Sequence, residues 1–284
     1  MYAKFFRVAF FLCFLRFLCA SPARGGALTP FSGEIRPWSP GAPTADRKFI
    51  PRAGIAPHHG LASEIIAHFY DNFSEPGFDS ESGADNVERV ILIGPDHFKA
   101  GRRSITLSPL PWRTGGVMLE IDAHAFDALS RTGAVGVESL PFRLEHSIGL
   151  HIVFIGSYFP NAKVTSLMVN NAATPWELSR LVPVLSELLA DGKTLLILSM
   201  DFSHDKMPEE ARREDDKSVE HILSFNTEGL RDLDIDAPAA TWLFLEVLKS
   251  RGVKDGFLLE RANSSELIGR LELPCTGYAT MLFR

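Results

Sequence analysis

Short, strongly apolar runs alternate along the chain with longer stretches in which apolar positions recur at helical spacing. The runs "RVILIG" (89–94), "AKVTSLMV" (162–169) and "TLLILSM" (194–200) read as strands buried on both faces of a sheet. "KFIPRAGIAP" (48–57) reads as a first strand and "GRLELPCTGYATMLFR" (269–284) alternates like a closing strand pair. Helical periodicity appears in "SEIIAHFYDNF" (63–73) and "DAHAFDALSRTG" (122–133). It recurs in "PWELSRLVPVLSELLADG" (175–192), predicted as one helix ending at Gly192. A charged helix over 208–225 and an apolar one over 237–252 follow. Strands alternating with helices predict an α/β domain whose central sheet is covered on both faces.

What is unusual is how the strands end. "GIAPHHG" places His58 and His59 just past the first strand, "ILIGPDH" places Asp96 and His97 past the next, and "LLILSMDFSH" places Asp201 and His204 past a third. Ligands bind open α/β sheets at the carboxyl ends of the strands, so these imidazoles and carboxylates are expected to converge. Two histidines and a carboxylate make a divalent-metal site of the facial kind. Each residue also has a plain structural reading. His58 or His59 fills a strand-to-helix turn, and Asp96 or Asp201 caps a turn. "LEHSIGLH" adds Glu145, His146 and His151. Five residues separate its histidines, so no more than one faces the crevice, and Glu145 with Ser147 reads as a helix start. Asp96, beside His97, is expected to tune or orient the site.

Composition narrows the partners. The 284 residues are 45% hydrophobic and 23% charged, enough for a sizeable core. A formal charge of -6 provides no basic field for a phosphate backbone, which argues against nucleic acid. Residues 1–23 carry Lys4 and Arg7 ahead of an apolar stretch and small residues at Ala20, Ser21 and Ala23, the layout of a cleavable signal. Export to the periplasm or medium is therefore expected. Arg16 interrupts the apolar run and disfavours a permanent membrane span. Cleavage would leave Cys275 as the remaining cysteine, without an intramolecular disulfide. Residues 24–47, rich in Pro and Gly, read as a linker, and residues 48–284 as one domain.

The motifs "APHHG", "IGPDHF", "LEIDAHAFDAL", "LEHSIGLH", "LSMDFSH" and "GYATMLF" occur in the order and rough spacing of the MEMO-like family, whose prokaryotic members are called AmmeMemoRadiSam system protein B. That family is similar in fold to the class III extradiol dioxygenases. The resemblance implies a three-layer α/β sandwich with a mixed, largely parallel sheet, and a bound metal: Fe(II) first, with copper or manganese as alternatives. By the same resemblance His58 and His97 match two metal ligands, and His146 matches the Glu-His-Ser element. Asp201 and His204 match the Asp-Phe-x-His element, with His204 as acid or base and Asp201 orienting it.

The family's third ligand lies in a Cys-Gly pair. Here the stretch is "LDIDAPAATW", which puts Asp236 at or next to that cysteine, either as a hard ligand or as a helix cap before Ala237 and Pro238. The implied activity is metal-dependent oxidation of a small, diol-like substrate. A redox-partner protein linked to a radical-SAM protein, and a metal-free module binding a small ligand or short peptide, remain as alternatives.

Overall fold

The computed structural model describes residues 26–31, 35–38, 52–73 and 87–284. The predicted signal at 1–23 lies outside these residues. The described chain builds an eight-stranded mixed sheet from β1 (Ala53–Ala56), β2 (Arg89–Pro95), β3 (Ile105–Leu107), β6 (Gly136–Val137), β7 (Lys163–Val169), β8 (Thr194–Ser199), β9 (Gly256–Asn263) and β10 (Gly277–Phe283). A two-stranded hairpin, β4 (Trp112–Thr114) with β5 (Val117–Leu119), stands apart. The sheet order is β6-β3-β7-β2-β8-β1-β10-β9. The central four, β7, β2, β8 and β1, run parallel, whereas β3 and β10 pair antiparallel to their inner neighbours.

Alternation within the buried strands divides two cores. Ile91, Ile93, Leu196 and Leu198 face one, and Val90, Leu92, Leu195 and Ile197 face the other. The first core is closed chiefly by α2 (Ala123–Arg131), α5 (Val182–Leu188), α6 (Pro208–Leu223) and α7 (Pro238–Ser250), the second by α1 (Ser63–Asp71) and α3 (His146–Tyr158). Helices on both faces of a mostly parallel sheet make the expected three-layer α/β sandwich. Among the described residues no helix is long and apolar enough to cross a membrane.

Three expectations change. The segment 175–192 is two helices, α4 (Pro175–Ser179) and α5, because Pro183 has no N–H to donate to the carbonyl of Ser179, four residues back. Gly192 lies in the turn beyond α5, at φ 71°. In 269–284 one strand forms, not two. On its outer side β10 pairs with β9, which the strand reading omits, and the capped turn α8 (Ser264–Ile268) separates the two in sequence. The described parts of the predicted linker are docked on the domain: Leu28 is fully buried and the Trp38 ring packs on that of Phe154, centroids 4.4 Å apart and tilted by 34°.

Candidate metal centre

Three adjacent parallel strands, β2, β8 and β1, end side by side. Each releases its site residue two positions later: His97 after Pro95, Asp201 after Ser199, His58 after Ala56. Neighbouring strands in a sheet lie ~4.8 Å apart, so the convergence follows from topology. The helix α3 is pinned across the same edge. Ser147 Oγ donates to the Pro95 carbonyl at 2.9 Å, and Ser199 Oγ donates to the Ser147 carbonyl at 2.6 Å. Gly94 makes this approach feasible, since a Cβ there would meet Ser147 Oγ at 2.8 Å.

His58, His97 and His146 each bring a ring nitrogen within 4.8 Å of the others', and His58, Asp201 and Asp236 form a second such group. The His146 ring stacks on His97 at 4.6 Å and meets His58 edge-on at 5.1 Å. Asp236 Oδ2 lies 3.0 Å from His58 Nε2 and 3.3 Å from His97 Nε2. Its Oδ1 accepts from the Asp201 amide at 3.1 Å, and its own amide donates to the Asp201 carbonyl at 3.2 Å. Asp236 is therefore no helix cap: Ala237 occupies the N-cap of α7 and makes no side-chain cap bond.

The other ring nitrogens fix the tautomers. Ser199 Oγ spends its hydrogen on Ser147, so at His58 it accepts from Nδ1–H at 2.9 Å, leaving Nε2 with a lone pair. His97 Nδ1 donates to Glu145 Oε1 at 2.8 Å, which leaves its Nε2 likewise facing Asp236. Two nitrogen lone pairs and a carboxylate oxygen cannot meet at these distances without a cation between them. Protons or a metal ion satisfy that condition, so the donor set fits a divalent ion.

Charge states carry the same message. Burial works against the charged form of His58, but the carboxylates of Asp201 and Asp236 outweigh it and raise its pKa. For His97 burial is likewise outweighed, by hydrogen bonds to Asp236 and Glu145, and the pKa rises to about 10. His146 goes the other way, to about 3, through burial and the positive charge on His58 and His97. Burial would raise the pKa of Asp236, yet its two imidazole neighbours hold it well below the ordinary carboxylate range.

Asp201 differs from expectation. Its Oδ1 accepts from the His58 amide at 3.0 Å and its Oδ2 lies 3.7 Å from His58 Nε2, so it holds His58 and does not orient His204. His204 is exposed at the rim, outside both groups, near enough to affect the titration of His59. His59 stacks on Tyr278 at 5.7 Å and its Nδ1 accepts from the Leu61 amide, so it serves the turn. Asp96 also serves a turn, accepting from the Ala100 and Gly101 amides, which corrects the expectation that it tunes the site. Glu145 is the supporting residue that sequence reading missed. It caps α3 and holds His97, and the pairing spans 48 positions.

The profile of the Memo-like protein family matches residues 34–282. "MEMO1 family protein MK0963" of Methanopyrus kandleri is 28% identical over 246 residues, covering 81% of this chain and 82% of its own. MEMO1 family proteins of Caldivirga maquilingensis and Pyrobaculum arsenaticum are each 26% identical, over 242 and 243 residues, with the same coverage of both chains. A match across nearly all of the described sheet and every residue of the centre places this chain in the Memo-like family.

Proposed function

We propose that this chain holds a divalent metal ion through His58, His97 and Asp236, with His146 alongside, and acts as a metal-dependent oxidoreductase on a small chelating substrate. One observation carries the reading: two imidazole Nε2 atoms, with Nδ1 already engaged, meet a single carboxylate oxygen at 3.0 and 3.3 Å. An ion held there supplies Lewis acidity and, if it is iron, manganese or copper, one-electron chemistry. Asp236 is a hard donor, so Fe(II) or Mn(II) suits the set better than Cu(I). Ser199 and Glu145 fix the ring orientations, and Asp201 fixes the backbone of His58. His204, at the rim, is the group available to exchange a proton with a bound substrate.

The test is the metal content of protein purified without chelator, beside a His58→Ala/His97→Ala variant. Near-stoichiometric iron or manganese that disappears in the variant is expected. No metal in either, even after anaerobic loading, would overturn the reading. His204→Ala should then bind metal normally while losing turnover, and full turnover would remove His204 from the chemistry.

A second reading draws on the same contacts. Because His97 holds its proton up to about pH 10, the cluster is also satisfied by protons, which suits a metal-free module for a small ligand or short peptide. A link to a radical-SAM protein rests on the family resemblance, and export rests on the signal-like residues 1–23. Gene neighbourhood tests the former and cell fractionation the latter.

A further inference from the structure

Between Gly26 and Trp38 the described chain runs as a strap across the second core. Leu28, fully buried, pairs its backbone with the β4 region: its amide donates to the Pro111 carbonyl at 2.7 Å, and its carbonyl accepts from the Arg113 amide at 2.8 Å. At Phe31 the strap crosses α3 so closely that a Cβ on Gly149 would overlap the Phe31 backbone. Two helical turns further on, Gly156 similarly admits Thr114 of β4. The Trp38 ring then packs at a tilt on Phe154 of the same helix. In between, the Arg36 amide donates to the Gly60 carbonyl at 3.2 Å and its guanidinium to the Leu267 carbonyl at 3.0 Å.

One segment thus grips two of the three elements that carry the histidines of the centre, α3 and the turn after β1, while His97 leaves the end of β2. The first turn of α3 holds His146, with Glu145 at its cap, and the Gly60 turn immediately follows His58. We propose that the strap is a brace for the metal centre, with Arg36 and Trp38 as positioning residues and Gly149 as the seat that lets the strap approach. The inference rests on the metal reading for its purpose but not for its mechanics. Glycine inside a helix costs stability relative to alanine, and at position 149 what it supplies is room for another backbone. Ligand sets must hold their geometry to within ~0.5 Å, and elements from separate strands keep such a distance only when something ties them.

The test uses the full chain with Trp38→Ala and Gly149→Ala, Trp38→Phe as the conservative rescue, and Leu185→Ala in the opposite core as a control for general destabilisation. Hydrogen exchange in metal-free protein reads the His58 amide, bonded to Asp201, and the Ala62 amide, bonded to the His59 carbonyl. Exchange there should quicken at least tenfold in the two strap variants relative to a control of matched melting temperature, and Trp38→Phe should restore it. With Co(II) as the probe ion, affinity should fall at least tenfold and the visible spectrum should change. Unaltered exchange at His58 and Ala62 would overturn the brace, even if α3 itself loosened. Should wild-type protein take up no Co(II), the metal reading fails by itself, and exchange still decides the brace.

Discussion

Glu145 holds His97 at two points, accepting from its ring Nδ1 at 2.8 Å and from its backbone amide at 2.9 Å. The same buried carboxylate accepts from the Ser147 amide at 3.0 Å and so caps α3. A glutamine in its place would turn a donor toward one of these three N–H groups. Glu145→Gln should weaken metal binding by roughly 10–100-fold and destabilise the fold by about 1–3 kcal/mol. Mn(II) titration and urea unfolding read the two effects separately. Undiminished affinity would mean that His97 keeps its orientation without Glu145.

Ser199 does for His58 what Glu145 does for His97, without a charge. Removing the hydroxyl leaves a buried Nδ1–H and the Ser147 carbonyl without their partner. Ser199→Ala should cost about 1–3 kcal/mol, and it should release the tautomer, so that a fraction of His58 presents a protonated Nε2 to the ion. Metal affinity should fall, whereas Ser199→Thr, if it packs, retains the hydroxyl and the affinity. Nitrogen-15 shifts of the His58 ring report the tautomer directly, and an unchanged Nδ1–H form in Ser199→Ala would defeat this account.

Metal uptake should release protons. With a folded pKa of about 10, His97 is protonated at neutral pH in metal-free protein, and an ion at its Nε2 must displace that proton. Affinity should therefore fall as pH drops from 10 toward 7. Calorimetry in buffers of different ionisation enthalpy measures the release directly. For stability the signs are opposite for the two partners. His97, raised above its unfolded value, contributes stability present below pH ~6.5 and lost as pH rises through about 10. Asp236, held down, contributes stability present above pH ~3.9 and lost as pH falls through its lower folded value. Asp236→Asn should thus flatten the stability of metal-free protein between pH 7 and 10 while leaving the transition cooperative, as urea unfolding across that range would record.

How much of this is legible in the sequence depends on the range of the interaction. His58, His97 and Asp201 announce themselves because buried strands have an unmistakable apolar pattern and the polar residues stand where it stops. Asp236 enters through its place in the family motif, but its choice between cap and ligand needs the geometry. Glu145 reads as a helix start, which it is, and nothing local reveals that it also reaches His97. The strap reads as a linker because it docks through backbone pairs, two apolar side chains and a glycine on another helix, none of which leaves a period. β9 escapes because nearly all of it is half-exposed, so its two faces do not separate into apolar and polar.

Asp236 should decide which metal the centre prefers. It is the point at which this chain bears a carboxylate where the family resemblance implies a thiolate, and its Oδ2 lies within 3.3 Å of both histidine Nε2 atoms. Carboxylate with imidazole favours Fe(II) and Mn(II), and thiolate with imidazole favours Cu(I) and Zn(II). Asp236→Cys places the softer donor on the same loop, although it also removes the oxygen that accepts from the Asp201 amide. Some affinity should therefore be lost for every ion, with the loss for Mn(II) far exceeding that for Cu(I). Asp236→Ala separates the two effects, since it removes the acceptor without offering sulfur. Competition between Mn(II) and Cu(I) under anaerobic conditions measures the preference in wild type and both variants. A shift toward Cu(I) in the cysteine variant alone is expected, and equal shifts in both would mean that Asp236 acts through the Asp201 backbone and not as a ligand.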